Sequence, residues 1–140
     1  MTTTPVQPPS DAELRAALHA AVPQATMAWL HGSAAQGRLR TDSDLDLAVW
    51  LPQPLSPTQW LQASAELSRR LQRDVDLLDL ARANTLTQFI VLSRGRLLLA
   101  RQPHAPWLLW ARVLRDWQDL QRHRAPAVRA LAQRLQGFAS

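Results

Sequence analysis

His31-Gly32-Ser33-Ala34-Ala35-Gln36-Gly37-Arg38 is followed, after four intervening residues, by Ser43-Asp44-Leu45-Asp46-Leu47-Ala48-Val49. Just before these stretches, the apolar run from Thr26 to Leu30 predicts a strand. A glycine and a serine that open a helix after such a strand offer free backbone N–H groups and a hydroxyl, with the positive end of the helix directed at an anion. We therefore expect a strand, a tight turn and a short helix that together suit a polyphosphate.

The second stretch supplies a pair of carboxylates. Asp44 and Asp46 are two residues apart, so on an extended strand both side chains leave one face while Leu45 and Leu47 leave the other. Carboxylate and phosphate oxygens are the ligands that Mg²⁺ prefers. The pattern thus predicts a metal site beside a phosphate site. The alternative is an ordinary helix cap, followed by a polar loop and an acidic strand end.

Helices and strands alternate along the first hundred residues, which predicts an α/β fold with a sheet of about four strands flanked by helices. Caps and hydrophobic spacing mark the helices. We expect a first helix capped by Ser10 and Glu13 with Leu14, Leu18 and Val22 inward, a second long helix after Ser56 and Pro57, and a third ended by Gly95 with Leu86, Phe89 and Ile90 inward. The other expected strands run from Asp44 to Leu51, from Val75 to Leu80 and from Arg96 to Arg101.

The sequence beyond Pro103 has the character of long helices. An apolar stripe at helical spacing consists of Trp107, Trp110, Leu114 and Trp117. The stripe predicts packing on the sheet, and the alternative is a partner-binding surface, because tryptophan and arginine are enriched at interface hot spots. We expect Pro126 to break the helix before a last amphipathic segment, Val128 to Leu135.

The two quoted stretches resemble the signature of the nucleotidyltransferase superfamily related to DNA polymerase beta, which is Gly-Ser, a spacer and Asp-x-Asp. Within it the chain looks most like the minimal nucleotidyltransferase (MNT) domain, the antitoxin half of HEPN/MNT toxin–antitoxin pairs. The resemblance implies a mixed sheet, Asp44 and Asp46 as ligands of Mg²⁺, and Gly32 and Ser33 as the groups that bind the β- and γ-phosphates of ATP. The chain departs from the family pattern at Gln36, where an arginine is often found.

A third carboxylate is expected from the segment Asp74-Val75-Asp76-Leu77-Leu78-Asp79-Leu80. By spacing alone, Asp74 and Asp76 share one face of a strand and Asp79 takes the other. The resemblance favours Asp76, because the family places an acid after a valine-like residue at the start of this strand. Asp76 is therefore predicted to complete the catalytic and metal-binding set.

Composition narrows the class of protein. The chain has no cysteine, which excludes disulfides and cysteine-ligated zinc. All 16 basic residues are arginine and the net charge is +5, which suggests an anionic partner or substrate. Arg38 and Arg40 are candidates to contact phosphate, with a solvated loop as the alternative. No apolar run reaches membrane-spanning length, so we expect a cytoplasmic protein without a membrane partner.

These observations lead to one hypothesis on organisation and function. We expect a flexible tail over residues 1–9 and a single domain over 10–140, with its core at 10–101 and a C-terminal helical extension at 103–140. The resemblance implies an Mg²⁺-dependent adenylyltransferase that acts as an antitoxin by moving AMP from ATP to a tyrosine of a cognate HEPN ribonuclease toxin. The chain contains no tyrosine, so such an acceptor lies on another molecule.

Three alternatives stay open. The first is a stand-alone transferase for a small hydroxyl compound, and the second is an antitoxin that neutralises its partner by binding alone. The third is a basic module that rests on nucleic acid, although nucleic acid is not expected as a substrate.

Overall fold

The computed structural model of the protein describes residues 7–38 and 44–137. The predicted alternation of helices and strands is confirmed, with most ends shifted by one residue. In chain order the elements are α1 (Asp11–Ala21), β1 (Met27–His31), α2 (Gly32–Ala35), β2 (Leu45–Trp50), α3 (Pro57–Leu71), β3 (Val75–Asp79), a 3-10 turn (Leu80–Arg82), α4 (Thr85–Arg94), β4 (Arg96–Ala100) and α5 (Ala105–Gly137).

The four strands form one mixed sheet, as the resemblance implied. Their order is β3-β2-β1-β4, with β1 antiparallel to both of its neighbours and β2 parallel to β3. A parallel pair needs a long crossover, and α3 supplies it between β2 and β3. The N-terminal end of β2, the C-terminal end of β1 and the start of β3 consequently meet at one edge of the sheet.

Helices cover both faces of the sheet, and the alternation of β2 assigns its side chains to one or the other. Leu47 and Val49 are fully buried in the cluster formed with α1 and α3. Ala48 is fully buried in the second cluster, with residues of α4 and α5. Since side chains alternate along a strand, Asp46 lies on the same face as Ala48.

Local sequence signals set the ends of the helices. The Ser10 hydroxyl accepts a hydrogen bond from the N–H of Glu13 at 3.1 Å, so the predicted cap of α1 is confirmed. At α3, Ser56 and Gln59 make both bonds of a capping box, at 3.1 and 2.9 Å. Gly95 ends α4, as predicted.

The predicted inward face of α4 is wrong in part. Leu86 and Ile90 are 41% and 42% exposed, whereas Gln88 and Val91 are buried. The side-chain amide of Gln88 donates a hydrogen bond to the carbonyl of Leu80 at 2.9 Å. Hydrophobic spacing counts only apolar residues, so it cannot predict that a glutamine with a hydrogen-bonded amide is buried. The spacing therefore indicated a neighbouring face of the helix.

The first half of α5 packs in the second cluster. Leu109 and Val113 are the buried residues of this helix and pack with Met27 and Trp29 of β1. The guanidinium carbon of Arg112 lies 5.6 Å from the centre of a ring of Trp50, a cation–π contact that adds to this packing.

The tryptophan stripe of α5 is divided between interior and surface. Trp110 and Trp117 stack on Phe89 of α4, with ring centroids 5.8 and 4.6 Å apart. Trp107 is 74% exposed. Packing on the body of the fold is thus confirmed for Trp110 and Trp117 and wrong for Trp107.

Pro126 does not break the helix, contrary to the prediction. One helix runs from Ala105 to Gly137 with the proline inside it. The residues around Pro126 are exposed, so water can bond the carbonyl that loses its N–H partner. The separate C-terminal segment expected from the sequence is therefore the far end of the same helix.

Within residues 7–38 and 44–137, no helix combines the length and the apolar character needed to cross a membrane. Residues 1–6 of the expected tail and Arg40 lie outside the described residues. The division into tail, core and extension stays a prediction.

Candidate active site

Three polar side chains form a row across the sheet. His31 at the end of β1 pairs in register with Asp46 of β2, and Asp46 pairs in register with Asp76 of β3. In-register side chains on neighbouring strands project to the same face, roughly 5 Å apart. The fold thus places Asp76, 30 positions along the chain, directly beside Asp46.

The backbone turns sharply beside this row. Gly32 begins α2 with φ of +70°, a conformation that L-residues with a side chain rarely adopt. A Cβ built there would overlap Oδ2 of Asp46 and lie 3.0 Å from Cγ of that side chain. The glycine is required twice, for its positive φ and for the carboxylate that lies against its backbone. The Gly-Ser turn and the aspartate therefore share one small space.

The electrostatic environment places Asp44 in the same cluster. Burial raises the pKa of Asp46, and the nearby carboxylates of Asp76 and Asp44 raise it further, while His31 acts in the opposite direction. Asp44 and Asp76 are themselves exposed to solvent. One half-buried carboxylate flanked by two exposed ones is a concentration of negative charge that favours a cation.

His31 is more closely tied to the site than its sequence context indicated. Its Nε2 atom is buried and has no hydrogen-bond partner among the described residues. Burial lowers the pKa of this imidazole, and the charges of Asp46 and Asp76 oppose that shift. The signal available in the sequence was only its position next to Gly32. Its pairing with Asp46 needed the register of the sheet.

The other two acids of the segment lie outside the row, and Asp79 takes the other face, as the spacing predicted. Asp79 accepts from Arg82 at 3.2 Å and pairs in register with Val49, whose side chain faces α1 and α3. Asp79 therefore lies on the other face from the row. The backbone carbonyl of Asp74 accepts from the N–H of Leu45 at 2.8 Å, so Asp74 flanks the start of β2.

The loop after the turn brings two of its polar side chains together. Arg38 donates from Nη2 to Oε1 of Gln36, and Gly37 between them has φ of +71°. Gln36, the residue that departs from the family pattern, thus orients the side chain of Arg38. Arg38 is exposed at the start of the loop.

The donor set suits a hard divalent cation. Carboxylate oxygens from two adjacent strands face the same space, and the Gly32 backbone leaves room there that any side chain would fill. Among residues 7–38 and 44–137, no three histidine or acidic side chains converge into a metal cluster of their own. Phosphate oxygens would supply the further ligands that such a site needs.

A mixed sheet with acids at the meeting point of three strands, beside a Gly-Ser turn that opens a helix, defines a nucleotidyltransferase. Residues 16–104 match the family model described as "Polymerase beta, Nucleotidyltransferase", and the chain belongs to this family.

Relatives and solved structures agree with this assignment. The chain is 30% identical over 103 residues to the protein adenylyltransferase MntA of Shewanella oneidensis, and the aligned residues make up 74% of this chain and 73% of that protein. It is also similar to a chain in the crystal structure of a toxin–antitoxin with AMP-PNP, with a TM-score of 0.76 and 25% identity over 88% of this chain and 98% of the other. A structure of a tri-AMPylated S. oneidensis HEPN toxin in complex with an MNT antitoxin shares the fold, with a TM-score of 0.69 and 23% identity over 86% and 94% of the two chains.

Proposed function

We propose that this nucleotidyltransferase is an antitoxin that moves AMP from ATP to a tyrosine of a cognate HEPN toxin. The observation that carries the proposal is the juxtaposition of Gly32, Asp46 and Asp76, which joins a phosphate-binding turn to carboxylates from two strands. The similarity to an adenylyltransferase, and to a chain crystallised in a toxin–antitoxin with AMP-PNP, supports AMP as the transferred group and a toxin as the partner.

Each site residue has a defined task in this proposal. Gly32 and Ser33 bind the β- and γ-phosphates of ATP through backbone N–H groups and the hydroxyl. Asp44, Asp46 and Asp76 would hold Mg²⁺, which neutralises phosphate charge and aligns the reacting groups when bound. The tyrosine oxygen forms a bond to the α-phosphorus as the bond to pyrophosphate breaks. Asp76, at the outer end of the row, receives the phenolic proton.

Substrate specificity rests in part on what the chain lacks. It contains no tyrosine, so it cannot be its own acceptor in this reaction. The carboxylates of Asp76 in the row and of Asp44 beside it are exposed, which leaves the site open to an acceptor carried by a large molecule. An open site of this kind fits a protein acceptor better than a small hydroxyl compound, which needs an enclosing pocket.

The test is transfer of AMP to the product of the adjacent gene. The protein is mixed with that product, ATP and Mg²⁺, and intact-mass spectrometry records the AMP units added. We expect a gain of mass with the wild type and a loss of at least about a hundredfold in rate with D44N/D46N, because the remaining groups cannot replace the charge of the site.

Matched variants separate the site from general effects of charge. D116N removes an exposed carboxylate of α5 and is expected to keep full activity. D76N is expected to lose activity, whereas D79N, on the same strand but on the other face, should retain it. Full transfer by D44N/D46N would disprove the site. Inhibition of the toxin without any added AMP would instead favour an antitoxin that acts by binding alone.

A further inference from the structure

The second half of α5 is almost entirely exposed to solvent. Of residues 118–137, only Ala125 is even half-buried, and all others are exposed. The buried residues of α5, Leu109 and Val113, lie in its first half. Twenty residues of helix are about 30 Å long. A helix of this length that buries so little against its own domain offers a continuous surface to another molecule.

An apolar stripe runs along this surface at heptad spacing. Steps of four and three residues connect Trp110, Leu114, Trp117, Gln121, Arg124, Val128, Leu131 and Leu135. The first part of the line is half-buried, where Trp110 and Trp117 stack on Phe89. Val128, Leu131 and Leu135, at its far end, are 62%, 57% and 61% exposed. Steps of four and three place side chains on the face that a second helix covers in a coiled coil.

The charge of the segment indicates what kind of helix fits. Residues 118–137 contain four arginines and one aspartate. Oδ1 of Asp119 lies 4.0 Å from Nη1 of Arg122. Within the described residues, no acidic side chain pairs with Arg124, Arg129 or Arg134. Arg124 stands in the line of the stripe itself, where a covering helix would bury it. A buried guanidinium requires a carboxylate from the partner.

We propose that residues 118–137 are the docking surface for the acceptor protein, which presents an acidic amphipathic helix to it. This inference rests on the proposed function, since that function makes the acceptor a protein. A second copy of the chain would bring arginine-rich segments together and leave Arg124 without an acid. A membrane is also disfavoured, because the apolar stripe is narrow, is interrupted by Arg124 and has no aromatic residue among its exposed members.

Pro126 is compatible with this role. It lies on the side of α5 opposite Val128 and Leu131, so its ring and its missing N–H do not face the docking partner. Proline on the outer side of a helix favours curvature around whatever the inner side covers.

The experiment compares three glutamates on the stripe with three on the opposite side. V128E/L131E/L135E is the stripe variant and A130E/Q133E/Q136E is its control. All six positions are exposed, so both proteins should fold. AMP transfer to the product of the adjacent gene is measured as KM for that protein and kcat. We expect KM to rise about tenfold or more in the stripe variant with kcat within about twofold of wild type, and no change in the control.

A second pair of variants tests the charge. R124E reverses the arginine that lies in the stripe, and R129E reverses one that lies outside it. R124E should raise KM for the acceptor about tenfold, and R129E should change it by less than about threefold, because only the first is desolvated on binding.

The outcomes separate this inference from the function on which it rests. If the stripe variant transfers AMP with the KM of wild type, the docking surface is wrong although the function stands. If wild type transfers no AMP, the function fails, and calorimetric binding of the same protein decides the surface: weaker binding by the stripe variant supports it, and equal binding overturns it. Two further results would also overturn it. One is a dimer of the wild type in sedimentation that only the stripe variant loses, and the other is binding to phosphatidylcholine/phosphatidylglycerol vesicles that only the stripe variant loses.

Discussion

At the scale of single residues, the site depends on how closely a backbone can approach a carboxylate. Gly32 combines a positive φ, which disfavours a side chain, with contact to Asp46, which leaves no room for one. The glycine of the Gly-Ser pair is thus the part of the chain that lets the turn and the acidic row occupy the same space.

Gly32 can be tested against a second glycine with the same backbone strain. Gly37 has nearly the same φ, but a Cβ there would meet nothing within 4 Å. Both G32A and G37A should lose about 1–2 kcal/mol of unfolding free energy from strain. Only G32A should also lose about a hundredfold or more in the rate of AMP transfer. The new methyl group must displace Asp46, and a small displacement of a group at the reacting centre slows the reaction.

Denaturant unfolding and the mass-spectrometric transfer assay measure the two effects separately. Equal activities of G32A and G37A would show that the position of Asp46 beside the turn is not required.

At the scale of elements, α5 is attached to the sheet by its first half and leaves the second half uncovered. The attachment consists of buried Leu109 and Val113 and of the stacks that Phe89 makes with Trp110 and Trp117. Trp107, on the same predicted stripe, is mostly exposed. Helical spacing alone does not distinguish these tryptophans, because it gives the face but not where the neighbouring helix ends.

The two ends of the stripe should therefore respond differently to truncation of the side chain. We expect W117A to lower the unfolding free energy by about 2–3 kcal/mol, because it removes a stacked ring at 4.6 Å from Phe89. W107A should cost less than about 0.5 kcal/mol, since its side chain is 74% exposed. Urea unfolding followed by circular dichroism gives both values, and similar losses for the two variants would contradict the assignment of α5 contacts.

At the scale of the whole molecule, both faces of the sheet are needed for one stable fold. The face with α1 and α3 holds most of the buried leucines, and the face with α4 and α5 holds the second cluster and the acidic row. Removing α5 would expose Met27 and Trp29 on the same face as the site. The C-terminal helix is therefore in part structural and in part, by our inference, a docking surface.

Two truncated chains should test the structural role. A chain that ends after Gln102 lacks Leu109 and Val113 and should fail to unfold cooperatively, because the second cluster loses its cover. A chain that ends after Gln121 keeps those contacts and the stack on Trp117, and it should melt cooperatively. Thermal unfolding by circular dichroism distinguishes them, and a cooperative transition in the shorter chain would show that α5 adds nothing to the core.

Sequence alone determined the order of elements, the turn and the pair of acids at the start of β2. Such features are local, since caps, alternation and the Gly-Ser signature depend on residues close in the chain. It did not determine that α5 continues through Pro126, or that Gln88 rather than Leu86 faces the sheet. Those outcomes depend on solvent exposure and on a hydrogen bond to Leu80 in another element.

What only the tertiary structure decided is the row itself. The register of β2 with β3 sets Asp76 beside Asp46, and the register of β1 with β2 adds His31. By spacing alone, Asp74 and Asp76 were equivalent candidates for the third carboxylate. Alternation within a strand determines the face on which a side chain lies but not its neighbour on the next strand. Pairing between strands is a long-range choice made by the burial of whole faces, so the chemistry of this site, unlike its residue types, is a property of the folded sheet.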